Sequence, residues 1–138
     1  MREVFVDTNI LIDLVIEREP YFMYANYLFL VAEKKSIVLN ICSLSYNTVH
    51  YYVRKHYGLE RAKMGIDLMW NFTKCLSVSH TIIQKAMKSA FRDFKDAIQY
   101  YCALQIPKCE AIITRDAKDF KLSVIPVIKP ERFLGEEM

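Results

Sequence analysis

Val4-Phe5-Val6 is apolar and β-branched or aromatic at every position, and it runs through Asp7-Thr8-Asn9 straight into a helical pattern. A strand that is apolar at successive positions has no face to offer water. It must be covered on both sides, as in a parallel sheet layered with helices. The rest of the chain repeats that alternation. Ile37-Val38-Leu39-Asn40-Ile41, Cys75-Leu76-Ser77-Val78 and Ala111-Ile112-Ile113-Thr114 read as further strands, and Val124-Ile125-Pro126-Val127 as a short edge strand where proline is tolerated. Between them apolar residues recur at helical spacing: Ile10, Leu11, Leu14 and Val15, then Ala25, Leu28, Phe29 and Ala32. The same holds for Leu59, Ala62, Ile66 and Met69, for Ile82, Ile83, Ala86 and Met87, and for Ala97, Ile98, Tyr101 and Leu104. The pattern predicts an α/β protein with a central, mostly parallel sheet of four to five strands.

With 138 residues there is room for one domain and one sheet, so residues 1–138 are expected to form a single unit. Only three glycines, four prolines and no polar tract interrupt a sequence that is 53% hydrophobic, which excludes a disordered tail. The net charge of +3 permits nucleic-acid binding without establishing it. Cys42, Cys75, Cys102 and Cys109 form no CxxC pair and have no histidine at zinc spacing, so buried reduced thiols are expected. Met1-Arg2-Glu3 leads directly into the first strand, and no apolar run reaches transmembrane length. A cytoplasmic protein with no leader and no membrane association is the expectation.

In a parallel α/β sheet, ligands bind outside the carboxyl ends of the strands, where the strand order reverses. Asp7 closes the first strand and Asp116 follows the fourth, so both are expected at that edge. Asp93 and Asp96 open the helix that precedes the fourth strand. Each has an ordinary structural explanation, because aspartate caps helix N-termini: Asp7 the first helix, Asp93 the helix it opens, with Asp96 three residues on. Ser43 or Ser45 and Ser79 are candidate caps of two other helices. As a group the acids suggest more. Carboxylates converging on one cleft repel by ~4 kcal/mol per close pair at an effective dielectric of 20. A hard divalent cation such as Mg2+ or Mn2+, which prefers oxygen ligands, relieves that repulsion and promotes phosphodiester hydrolysis.

VFVDTNILIDLV, LSYNTVHYYVRKHYG, DFKDAIQYYCAL, IITRDAKDF and IPVIKPERFL, in this order from residue 4 to about residue 134, resemble a PIN domain. The resemblance implies a three-layer α/β/α sandwich in which the first and fourth strands are neighbours. It also implies an Mg2+- or Mn2+-dependent endoribonuclease that cleaves RNA with metal-activated water. Asp7, Asp96 and Asp116 match the first, third and fourth acidic positions and would serve as catalytic metal ligands. Asn9 matches the polar residue that lines the site beside the first acid, and Arg115 flanks the fourth. The second acidic position departs from the pattern, since Thr48 stands where relatives carry glutamate. Thr48 still offers a neutral oxygen, at the loss of one negative charge. Small stand-alone domains of this kind resemble the toxins of toxin-antitoxin pairs, which implies RNA, a cognate antitoxin and a homodimeric copy as partners. The Thr48 substitution keeps a second reading open, that of a weak or inactive PIN-like domain that binds RNA or protein.

Basic residues cluster at Arg54-Lys55-His56, at Lys85, Lys88, Arg92 and Lys95, and at Arg115, Lys118 and Lys121. The last two clusters flank the acidic positions and suggest a phosphate-contacting rim whose binding weakens with salt. Tyr51, Tyr52, Tyr100 and Tyr101 are expected mainly in the core or at an interface, their amphipathic rings suiting both. His50, His56 and His80 share no spacing that suggests a ligand set.

Overall fold

The computed structural model describes residues 1–137. Its elements in chain order are β1 (Glu3–Val6), α1 (Thr8–Val15), α2 (Phe22–Lys35), β2 (Val38–Cys42), α3 (Leu44–Tyr57), α4 (Leu59–Phe72) and β3 (Lys74–Leu76). They continue with α5 (His80–Lys88), α6 (Phe94–Ala103), β4 (Cys109–Ile113), a 3-10 turn (Ala117–Phe120), β5 (Val127–Ile128) and α7 (Pro130–Glu137). The five strands form one sheet in the order β3-β2-β1-β4-β5, and every pairing is parallel. The expected neighbours β1 and β4 pair, with Phe5 opposite Ile112 and Val6 opposite Ile113.

The alternation along each central strand sorts the core into two layers. Val4 and Val6, Leu39 and Ile41, and Ala111 and Ile113 face one side, where they pack with buried residues of α1, α2, α3, α4 and α7. Phe5, Cys42 and Ile112 face the other, with Ile82 and Ala86 of α5 and Ala97, Ile98 and Cys102 of α6. Phe5 has no exposed surface at all. Burying a side chain of that kind contributes roughly 1.5–3 kcal/mol, which is why β1 can sit at the centre of the sandwich.

Two glycines solve local problems. Gly58 joins α3 to α4 with φ +94°, a backbone region that a Cβ disfavours. Gly65 lets α4 lie against α1, since a Cβ there would come 2.8 Å from Cγ1 of Val15.

Several local expectations shift. The fifth strand is Val127–Ile128 rather than 124–127, because Ser123 ties Ile125 into a turn, its Oγ accepting from Ile125 N at 3.0 Å. Ahead of Val127, the Pro126 carbonyl also reaches β4, accepting from Ile112 N at 2.8 Å. Ser79 caps α5 as expected, accepting from Ile82 N at 3.2 Å. Neither Ser43 nor Ser45 caps α3: Ser43 Oγ accepts from Val78 N, and the Ser45 hydroxyl pairs with that of Thr8. Cys42 and Cys102 are buried free thiols, whereas Cys75 is exposed and Cys109 half-buried, because β3 is an edge strand and Cys109 begins β4. Among the described residues, no helix is long and apolar enough to cross a membrane.

Candidate active site

The order 3-2-1-4-5 reverses between β1 and β4, so the crevice of an open parallel sheet opens beyond Val6 and Ile113. Asp7 stands there, 3% exposed. Its backbone N–H donates to the Ile113 carbonyl at 3.0 Å, extending the β1–β4 ladder by one residue. That anchor fixes where its side chain emerges. The carboxylate does not cap α1. Instead Oδ1 accepts from Gln99 Nε2 at 3.0 Å and Oδ2 accepts from Thr114 Oγ1 at 2.8 Å.

Gln99, which closes the D-A-x-Q run of the motif and has no role assigned from the sequence, is the hub of this region. It is 1% exposed. Beyond its bond to Asp7, its Oε1 accepts from Thr8 N at 3.0 Å and from Thr8 Oγ1 at 2.8 Å. With its only hydroxyl proton given to Gln99, Thr8 must accept from Ser45 Oγ, which lies 2.7 Å away. Four elements, β1, α1, α3 and α6, are thereby joined through buried polar atoms. Thr114 adds the fifth connection, since its Oγ1 also accepts from Asp116 N at 3.0 Å. One hydroxyl thus orients two of the acids, Asp7 by donating and Asp116 by accepting.

Asp116 lies half-buried after β4, and its side chain leaves the 3-10 turn uncapped. Asn9 Nδ2 approaches Asp116 Oδ2 at 3.4 Å. Asp93 caps α6, accepting from Asp96 N at 3.0 Å. The Asp96 side chain takes no part in that cap. Burial first, then the neighbouring charges of Asp93, Asp7 and Asp119, push its carboxyl up to about 7, with Lys95 opposing. Asp7 is also raised, chiefly by burial and further by Asp116, against the lowering effects of Thr114, Gln99 and Lys95. Asp7, Asp96 and Asp116 therefore share one electrostatic neighbourhood with a surplus of negative charge.

Arg115 is placed differently from the expectation of a free cation lining the site. Its Nε donates to Asp13 Oδ2 at 2.8 Å and its Nη2 to Asp13 Oδ1 at 3.2 Å, while its guanidinium carbon lies 4.0 Å from the centre of the Tyr21 ring. Asp13 is 1% exposed, so this fork neutralises a buried charge, assisted by Arg18 Nε at 3.6 Å. Asp13 was recognisable only as the single charged residue in TNILIDLV. Thr48 is half-buried, and its Oγ1 donates to the Leu44 carbonyl at 3.3 Å. It lies three residues beyond Ser45 and so shares the face of α3 that reaches Thr8. Tyr100 is buried and its hydroxyl accepts from Val124 N, whereas Tyr51 is exposed.

Among the described residues, no three His, Cys, Asp or Glu side chains gather closely enough to hold a metal ion by themselves. The donor chemistry nevertheless suits Mg2+ or Mn2+. Such ions take oxygen ligands, keep several of their waters and bind through one or two carboxylates, so a closed protein cage is not required. Burial first and the neighbouring carboxylates second raise Asp7 and Asp96, and a bound cation would offset both.

The family model described as PIN domain matches residues 3–118. No curated protein matches the chain. Solved structures do. VapBC2 from Rickettsia felis, bound to a DNA fragment from their promoter, is 18% identical over 92% of this chain and 98% of that one, with a TM-score of 0.68. A toxin-antitoxin complex from Klebsiella pneumoniae is 25% identical over 92% of this chain and 97% of that one, with a TM-score of 0.65. VapC20 from Mycobacterium tuberculosis, a toxin that cleaves the sarcin-ricin loop, is 14% identical over 79% of this chain and 86% of that one, with a TM-score of 0.63.

Proposed function

This chain belongs to the PIN-domain family, and from that premise we propose that it is a metal-dependent endoribonuclease whose site is built on Asp7, Asp96 and Asp116. The observation that carries the proposal is Asp7, a carboxylate held 3% exposed at the strand-order switch and raised by burial. A purely structural residue there would do better as an uncharged amide. Mg2+ or Mn2+, when bound, supplies activation of water and charge neutralisation at the scissile phosphate.

The chain's own residues prepare that chemistry. Asp7, Asp96 and Asp116 would draw the ion, each directly or through one of its retained waters. Gln99 and Thr114 fix both oxygens of Asp7, so the carboxylate needs no reorientation when substrate arrives. Thr114 also fixes the backbone of Asp116, and Asn9 contacts that residue's side chain. Burial on both faces of β1 and β4 keeps this frame rigid and limits water to the open edge of the crevice. The likeness to toxin-antitoxin complexes supports a cognate antitoxin as a protein partner. A homodimeric copy and a cytoplasmic site of action belong to the same proposal.

A specific observation favours a second reading, a PIN domain that binds RNA or protein with little or no cleavage. Thr48 occupies the second acidic position and its hydroxyl is turned to the Leu44 carbonyl. The deciding experiment is cleavage of single-stranded RNA in Mg2+, in Mn2+ and in EDTA by wild type, Asp7→Asn and Thr48→Glu. Asn at 7 keeps both hydrogen bonds in reach, its oxygen accepting from Gln99 and its amide donating to Thr114, so loss of cleavage reports on charge rather than folding. Metal-dependent cleavage by wild type that Asp7→Asn abolishes supports the enzyme. Cleavage gained only in Thr48→Glu overturns it for this chain and supports the binding domain.

A further inference from the structure

Beside Asp96, the segment before α6 and the 3-10 turn with the two residues after it enclose a cleft of about 300 Å³. Its walls combine apolar surface, positive charge and, from Asp93, Asp96 and Asp119, negative charge. Phe91 and Leu122 supply apolar surface, and Arg92, Lys118 and Lys121 supply positive charge. Phe91 is braced from behind, with its ring centre 5.1 Å from that of Tyr100 and 6.4 Å from that of Phe120, so it is a fixed wall. Leu122 is 48% exposed.

The three cations are the informative part. Carboxylates line the same cleft, yet among the described residues none of Arg92, Lys118 and Lys121 forms an ion pair. Arg115 contrasts with them, its fork being committed to Asp13. Cations that decline nearby acids and surround an apolar floor are arranged for an anion that carries a flat apolar group. A nucleotide is that combination.

The geometry points to a nucleotide subsite in this cleft: it receives one unpaired nucleotide of the RNA, base against Phe91 and Leu122, phosphate among Arg92, Lys118 and Lys121. The inference rests on the reading of the chain as one that acts on or binds RNA. Because Asp96 lines the same cleft, the captured nucleotide adjoins the phosphate presented to the acids. A base stacked in a duplex cannot enter, so the subsite selects single-stranded or looped RNA. Stacking on an aromatic wall is tolerant of sequence, so the preference is for an unpaired base rather than for one particular base.

The test compares wild type with Lys118→Ala/Lys121→Ala and with the control Lys34→Ala/Lys63→Ala, which removes equal charge from α2 and α4, outside the cleft. Affinity for a fluorescein-labelled single-stranded RNA is taken as Kd in EDTA and as KM in Mn2+, each from 50 to 200 mM salt, with cleavage followed in parallel. The cleft pair should weaken affinity about tenfold and reduce the slope of log affinity against log salt by roughly 0.7 for each phosphate that is no longer neutralised. The control pair should change affinity less than twofold, and an abasic residue within the bound segment should weaken wild type more than the cleft variant. If the two double variants behave alike while wild type cleaves RNA, the subsite is wrong and the ribonuclease reading stands. If wild type binds without cleaving and the cleft pair alone weakens binding, the subsite stands and the catalytic reading falls. No affinity of wild type for RNA overturns both.

Discussion

Gln99 holds Asp7 in place from α6, its Nε2 donating to Oδ1 at 3.0 Å while its Oε1 accepts from Thr8 N at 3.0 Å. The residue completes a buried circuit in which every polar atom has a use. Gln99→Leu keeps the bulk and breaks the circuit, leaving the Thr8 N–H without its acceptor and the Asp7 carboxylate without one donor. Each orphaned buried group costs about 1–3 kcal/mol. Urea unfolding should therefore shift to a lower midpoint with an unchanged slope, and kcat should fall as Asp7 loses its fixed orientation. An unchanged midpoint would show that the circuit is not holding the fold.

The pair Arg115–Asp13 is expected to be structural. Removing the arginine leaves Asp13, 1% exposed, with only Arg18 at 3.6 Å. Breaking one partner out of a buried pair costs about 3–5 kcal/mol. Arg115→Ala should accordingly lower stability by an amount of that order, while RNA affinity per folded molecule stays within about twofold of wild type. Asp13→Asn/Arg115→Ala should recover part of the loss, because the stranded charge is gone. A large rise in RNA Kd with intact stability would instead return Arg115 to the substrate surface.

Asp96 sets a pH dependence of stability in metal-free buffer. Its folded value of about 7 lies above the ordinary 3.8. The folded state therefore binds the proton more tightly than the unfolded chain, and stability falls as pH rises from about 4 through about 7. Asp96→Asn has no such proton to lose. Its Tm should match wild type near pH 4 and exceed it at pH 8 in EDTA, and Mn2+ should raise the wild-type Tm at pH 8 more than that of the variant. A Tm difference that is constant across pH would remove Asp96 from the shared negative field.

The architecture was legible because its signals are local and redundant. Three consecutive apolar residues at Val4–Val6 already require cover on both faces, and Gly58 and Ser79 mark helix ends by chemistry that acts within a few residues. The acids at 7, 96 and 116 were legible through motif order. What escaped is non-local. Gln99 matters because it meets Asp7 across 92 positions of sequence, and Asp13 because it meets Arg115 across 102. Nothing in either residue's neighbourhood announces its partner. Asp7 shows the converse failure: aspartate before a helix reads as a cap, yet Gln99 and Thr114 claim both of its oxygens.

Thr48 is the position at which the charge of the site can be raised by design. It lies one helical step from Ser45, whose hydroxyl is 2.7 Å from that of Thr8, itself adjacent to Asp7. A glutamate at 48 would have to abandon the bond that Thr48 now makes to the Leu44 carbonyl and extend toward the acids. Without metal this adds repulsion to carboxyls already raised, so Thr48→Glu should unfold at a lower temperature than wild type in EDTA. With Mn2+ the order should reverse, because oxygen-ligand affinity rises with the number of charged ligands. A gain on the order of tenfold in Kd corresponds to about 1.4 kcal/mol of added stabilisation at saturating metal. Calorimetric titration with Mn2+ and thermal melts with and without it measure both halves. Equal Mn2+ affinity in the two proteins would mean that the helix face bearing Thr48 does not reach the ion, and that cleavage by this chain depends on Asp7, Asp96 and Asp116 alone.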